Sequence, residues 1–313
     1  MPIAVDEVSQ NAVGGTERMK NTLAEKLDPQ VLDKFQIIAS RVREVDQKLI
    51  PIYWLHDLPG DPESEHLKQG GYTRFERLVF VSNWQMQSYI NSYKLPWYKA
   101  CVIQNAIEPI PFIEKPKDKI KLIYHTTPHR GLNLVVPTFI KLAEQYDNIE
   151  LDVFSSFKIY GWEERDKQYE ELFDVCRAHP KINYHGFQPN HVVREALQHA
   201  HIFAYPSTWL ETSCIALMEA MSAGCLCVHP NYGALYETAS NLTWMYQFHE
   251  DPRDHASIFY KMLQTAIDNV LKDDVQLSLQ STKNFIDTIY SWDRRIVEWN
   301  TFLTSILLKK KLI

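Results

Sequence analysis

The sequence predicts an α/β fold built from two doubly wound domains that face a cleft, the N-terminal one reduced. From Lys119 onward, short β-branched runs alternate with longer helical stretches, the pattern of a parallel sheet covered on both faces. A shorter alternation of the same kind runs through the first 110 residues. Between the two, residues 108–118 carry Pro109, Pro111 and Pro116 among mixed charges and read as a linker. The expected organisation is a smaller Rossmann-like domain over 1–110, a second domain over 111–285, and a closing helix over 286–313.

The second domain supplies the clearest strands, at residues 120–125, 149–154, 182–185, 201–205 and 225–229. Between the first two, Leu132, Val135, Val136, Phe139 and Ile140 recur at helical spacing, with Pro137 expected to weaken or bend the helix. In the first domain the strand-like runs are 35–39, 50–55, 78–81 and 100–103, after a helical stretch over 16–27. No obvious strand precedes the glycine pair that opens that helix. Trp292, Ile296, Trp299 and Phe302 give the closing helix an apolar stripe that core packing explains.

With 313 residues, 45% apolar and 23% charged, the chain has the make-up of a folded globular protein. A formal charge of −6 gives no overall attraction for nucleic acid or an anionic membrane, leaving only local basic patches as an exception. Lys309, Lys310 and Lys311 form one such run, suited to weak membrane-surface contact or simply to the helix dipole. Cys101, Cys176, Cys214, Cys225 and Cys227 form no CxxC pair and are odd in number, against both a disulfide framework and a zinc site. With no membrane-length apolar run and no basic, secretory-type residues 1–10, a cytoplasmic location is expected.

Chemistry concentrates where strands end. In YPSTWLETSCIALME, residues 205–219, a strand runs into a loop and then a helix expected to open near Thr212. Free amides of Thr212 and Ser213 and the positive dipole end would hold a pyrophosphate. Glu211 and Glu219 would lie about 12 Å apart if the backbone between them is helical, close to the span from a donor hexose to a ribose. In YHTTPHRGL, residues 124–132, Arg130 stands at a helix opening, the wrong end for dipole complementarity, which points to an anionic ligand. His125 and His129 flank it. In NAVGGTER, residues 11–18, Gly14 and Gly15 permit close backbone approach to a phosphate or sugar. In IYWLHD, residues 52–57, His56 and Asp57 sit where a strand meets its loop. Each motif also has a plainer reading: a glutamate near a helix start is a dipole partner, a Gly-Gly pair a turn, a histidine a buried polar group.

Taken in order, the motifs resemble the retaining glycosyltransferases of family 4, with the two-domain GT-B fold. Glu211 and Glu219 fit that family's E-x7-E pattern, Arg130-Gly131 stands for its Lys-Gly, FVSN and QNA fit at 80–83 and 104–106, and Gly14-Gly15 fits its glycine loop. The resemblance implies transfer of a sugar from a UDP- or GDP-linked donor to a glycan, lipid or other hydroxyl, with retention and without metal or cofactor. It assigns Arg130, Glu211 and His56 to catalysis. It gives the donor Gly14, Gly15, Arg130, Ser155, Ser156, Gly186, Phe187, Glu211, Thr212, Ser213 and Glu219. Three departures stand out: His125 in place of a second phosphate cation, Thr212-Ser213-Cys214 in place of Gly-Phe-Gly, and the short N-terminal domain. A nucleotide-sugar-binding module without transfer, and a GT-B epimerase or phosphorylase, are the alternatives; oligomeric state is left open. A Glu219 turned from the cleft, or an Arg130 buried in an internal ion pair, would count against transfer.

Overall fold

The computed structural model describes residues 13–313. The region before the glycine pair, where no strand was expected, and residues 1–10 lie outside the described residues. Two compact units emerge: unit 1 takes the chain up to Ala106 together with Tyr290–Ile313, and unit 2 takes Ile107–Ile289.

Unit 1 opens with helix α1 (Gly15–Lys26) and the single turn α2 (Pro29–Leu32). Strands β1 (Phe35–Ala39), β2 (Ile50–Leu55) and β3 (Arg77–Phe80) follow, then α3 (Asn83–Tyr93) and β4 (Ala100–Val102). All pairings are parallel, in the order β1-β2-β3-β4, so among the described strands the sheet never reverses direction. Ile52, Tyr53, Trp54 and Leu55 are all buried, as a parallel strand covered on both faces requires.

Unit 2 contains β5 (Ile120–Tyr124), α4 (Leu132–Ala143), β6 (Ile149–Val153), α5 (Glu170–Ala178), β7 (Ile182–Tyr184), α6 (Asn190–His199) and β8 (Ile202–Ala204). It continues with α7 (Ile215–Ser222), β9 (Leu226–Pro230), α8 (Leu235–Ala239), β10 (Trp244–Tyr246), α9 (Pro252–Asn269) and α10 (Asp273–Ile289). The chain then returns to unit 1 through α11 (Trp292–Lys309), where Trp299 meets Trp54 edge-on at 5.1 Å. The six strands of unit 2 are parallel in the order β10-β9-β8-β5-β6-β7. The connections leaving β5 and β8 therefore run in opposite directions, and at such a switch point an open α/β sheet forms its ligand crevice.

Three expectations change. Strand β10 was not foreseen: three residues give periodicity too little to work on. Helix α4 runs through Pro137, whose ring faces solvent, so the lost hydrogen bond falls on the wet side. Residues 108–118, expected as a free linker, are fastened along unit 2. Ile110 donates its N–H to Ser222 Oγ at 2.8 Å, Arg194 donates to the Glu108 and Pro109 carbonyls at 2.9 and 3.2 Å, and Lys115 to the Gly224 carbonyl at 3.0 Å. Proline removes its own N–H but leaves carbonyls for neighbouring cations to collect.

Candidate active site in unit 2

After β5 the chain makes a tight turn over Pro128–Arg130, closed by Arg130 N–H to the Thr127 carbonyl at 3.1 Å. Gly131 follows at φ +120°, and a Cβ there would stand 2.4 Å from the Pro206 carbonyl oxygen. Only glycine permits the loop after β5 to lie this close to the loop after β8. That second loop is pinned as well: Glu211 forms a lone parallel bridge with Gly233, and Ala234 donates its N–H to the Glu211 carbonyl at 2.7 Å.

The pinning corrects the expected helix start. With Glu211 held in extended pairing, the backbone turns through residues 212–214 and α7 begins at Ile215 with Cys214 as its N-cap. Thr212 and Ser213 are half-buried residues of this turn and not the first helical turn, so the dipole end lies further along than expected and the intervening backbone between the glutamates is only partly helical.

Arg130 and Glu211, 81 residues apart, meet at the switch point: Arg130 Nη1 donates to Glu211 Oε1, and the Tyr205 hydroxyl donates to the same oxygen. Their side chains are 20% and 6% exposed. Burial works against the Arg130 charge, but the adjacent Glu211 carboxylate outweighs it and holds the guanidinium firmly cationic. This ion pair is one of the two arrangements named above as counting against transfer. Its partner, however, is the other residue assigned to the donor, so the pair lies inside the candidate site and leaves further guanidinium donors available.

A set of buried polar atoms without hydrogen-bond partners surrounds the pair. These are Thr127 Oγ1, His129 Nδ1, Arg130 Nε and Ser155 Oγ, all in the loops that follow the adjacent strands β5 and β6. A buried hydroxyl or ring nitrogen left unpaired costs about 1–3 kcal/mol, so such a group at the ends of two adjacent strands marks a place where a ligand completes the bonding. The His129 ring stacks on Phe157 at 5.1 Å and meets Trp209 edge-on at 5.0 Å. Burial, with the nearby Arg130 and Arg165 charges, brings its pKa down to about 4, so it is neutral at pH 7.

The remaining predicted residues divide. Ser155 is buried at the end of β6, but Ser156 is committed to structure: its hydroxyl caps the turn Phe157–Tyr160 by accepting Lys158 N–H at 2.9 Å and donates to Asp166 at 2.5 Å. Gly186 and Phe187 follow β7, with Gly186 at φ +60° and a Cβ there in ordinary contact, at 3.9 Å, with the Tyr184 ring. Glu219 is 2% exposed and its carboxylate faces α6, accepting from Asn190 Nδ2 at 3.3 Å and Arg194 Nη1 at 3.3 Å. A ribose at Glu219 would share those oxygens with α6. His125 packs its ring on Phe203 at 4.7 Å.

In unit 1, Gly14 caps α1 and Gly15 begins it. His56 ends β2 with its ring 4.6 Å from Trp54, and burial lowers its pKa to about 3, which keeps it neutral. Tyr205, Arg194 and Asn190 escaped sequence reading. Tyr205 was visible as a strand's last residue six before Glu211, whereas the two α6 residues had no local signal.

A parallel sheet with a switch point flanked by Arg130 and Glu211 makes unit 2 Rossmann-like, and the α/β fold of the chain matches that of the GT-B glycosyltransferases. Residues 105–288 match the family glycosyl transferases group 1, and the chain belongs to it. Among solved structures it is similar to a glycosyltransferase from Rickettsia africae ESF-5 (13% identity, TM-score 0.68, 96% of this chain and 84% of that one). It is also similar to the GtfA/B complex (13%, 0.63, 86% and 57%) and to the pneumococcal O-GlcNAc transferase GtfA in complex with UDP and GlcNAc (11%, 0.66, 93% and 60%). The chain thus spans well under two thirds of the length of these last two. No curated protein matches it in sequence.

Proposed function

We propose that the chain is a retaining, metal-independent glycosyltransferase of family 4 type, moving a sugar from a UDP- or GDP-linked donor to the hydroxyl of an acceptor. The observation that supports this best is the Arg130–Glu211 pair at the switch point, in the same strand-end loops as Thr127, His129 and Ser155 atoms that lack hydrogen-bond partners. A diphosphate carries acceptors for each donor among them. In this reading Arg130 shifts toward the leaving diphosphate, whose charge grows as the glycosidic bond breaks, and stabilises it most in the transition state. Glu211 takes sugar hydroxyls, which accounts for a carboxylate that the structure buries beside a cation rather than exposing to water. Thr212 and Ser213 amides, Glu219, Gly186 and Phe187 keep the donor roles that the resemblance gives them.

The test is a thermal shift with UDP, GDP, ADP and their sugar conjugates, followed by donor turnover with acceptors supplied. A ligand at 100 times its Kd adds about 2.7 kcal/mol of stability. One nucleotide series is expected to raise the melting temperature, and the released sugar keeps the donor's anomeric configuration, with turnover unchanged by EDTA. Binding without turnover makes the chain a donor-binding module, and no stabilisation by any nucleotide overturns the proposal.

A further inference from the structure

Unit 1 carries a second built surface, remote in the sequence from the Arg130–Glu211 pair. Leu95, 3% exposed, anchors the start of a short turn, Trp97–Lys99, that holds Trp97 at 58% and Tyr98 at 70% exposure. The turn is closed by Lys99 N–H to the Pro96 carbonyl at 3.0 Å, so the two rings are displayed and not frayed. Lys99 Nζ donates to the Phe75 carbonyl at 2.6 Å, and the next residue, Glu76, pairs with Lys310 at 2.9 Å. This chain of contacts joins the aromatic turn to the end of α11. There Leu308, Leu312 and Ile313 are 59%, 54% and 64% exposed among Lys309, Lys310 and Lys311. Lys99 lies within electrostatic reach of Arg77, Lys309 and Lys310, and Lys94 is exposed three residues before Trp97. Lys99, Arg77, Lys309 and Lys310 thus gather around Glu76 in a chain whose formal charge is −6.

We propose that this patch docks unit 1 onto an anionic lipid surface. Trp and Tyr are the side chains that settle at the headgroup level, because each has an apolar body and a polar tip. Lysines beside them add attraction to acidic headgroups, about five-fold in partitioning for each one. Exposed leucine and isoleucine next to the lysines supply shallow insertion, which a nucleic-acid surface does not reward. Among the described residues no helix is long and apolar enough to cross a membrane, so the contact is peripheral. The inference is independent of the proposed donor chemistry.

Co-sedimentation with vesicles tests it, using phosphatidylcholine alone and phosphatidylcholine mixed with phosphatidylglycerol. The full chain is expected to pellet with the mixed vesicles only and to be released as salt rises. Replacing Lys309, Lys310 and Lys311 together by Gln is expected to lower partitioning about a hundred-fold. The Trp97→Ser, Tyr98→Ser pair is expected to reduce it at least ten-fold at unchanged melting temperature. Equal pelleting with neutral vesicles, no pelleting, unchanged binding by both variants, or capture of single-stranded RNA in preference to vesicles each overturns the proposal.

Discussion

Both units are parallel sheets, yet their strand orders differ, and so does what collects at their strand ends. In unit 2 the order reverses between β5 and β8, and the loops leaving these neighbours bring together Arg130, Glu211 and Tyr205. In unit 1 the described order runs straight from β1 to β4, and the loop after β2 spends its polar groups on side chains of α3. There the Tyr93 hydroxyl takes the Gly60 N–H at 2.7 Å and lies 2.8 Å from Ser64 Oγ, while Gln85 Nε2 and the Tyr89 hydroxyl reach the Asp57 carbonyl at 2.8 and 3.3 Å. Partnerless buried polar atoms in unit 2 fall within residues 127–130 and 155, whereas in unit 1 they are spread over Trp54, His66, Asn105, Trp299 and Asn300. A switch point concentrates unfinished hydrogen bonding, and a straight order does not.

The largest break in this contrast comes from Arg130→Ala, expected to lower kcat/KM by about 10²–10³ as the loss of one group aimed at developing charge does. The fold stays intact, since the Tyr205 hydroxyl still donates to Glu211; steady-state kinetics check it. Next, Glu211→Ala leaves the largely buried Arg130 without its counter-charge. Stability is expected to fall by about 3 kcal/mol, read by urea denaturation, and to be partly restored by a bound nucleoside diphosphate.

Acid separates the units by sign. Buried His201, His229 and His255 of unit 2 have pKa values lowered by burial to about 4, below their unfolded value of 6.5. The unfolded chain therefore binds more protons between pH 6.5 and 4, so their contribution is complete above pH 6.5 and is lost as pH falls through that window. At pH 5 the loss is about 2 kcal/mol per histidine. In unit 1 His56 titrates in the same sense, but Asp57 runs the other way. Burial raises it from 3.8 to about 6, so its contribution is present at low pH and lost as pH rises from 3.8 through 6. Hydrogen exchange at pH 7 and 5 is expected to show unit 2 loosening first.

The smallest effects sharpen the assignment of two adjacent serines. Ser156→Ala removes a turn cap and is expected to cost about 1 kcal/mol of stability. Ser155→Ala removes a hydroxyl with no protein partner and is expected to leave stability within about 0.5 kcal/mol, while weakening nucleotide binding about five-fold. Calorimetry on both variants checks the pair.

Much of this was legible in the residues. Alternating runs gave the parallel sheets, because a strand covered on both faces must be apolar along its whole length, as at 52–55 and 122–124. Arg130 and Glu211 stood out because each follows such a run at a strand-to-loop junction. The motifs could not show that these two side chains are paired with each other, that α7 starts three residues later than Thr212, or that Glu219 is held by Asn190 and Arg194. Local sequence determines which segments become strands and helices, since burial periodicity is a property of a few consecutive residues. Strand order, the Gly131–Pro206 approach and the Glu211–Gly233 bridge were decided only when distant segments packed, because each contact depends on a backbone that another part of the chain supplies.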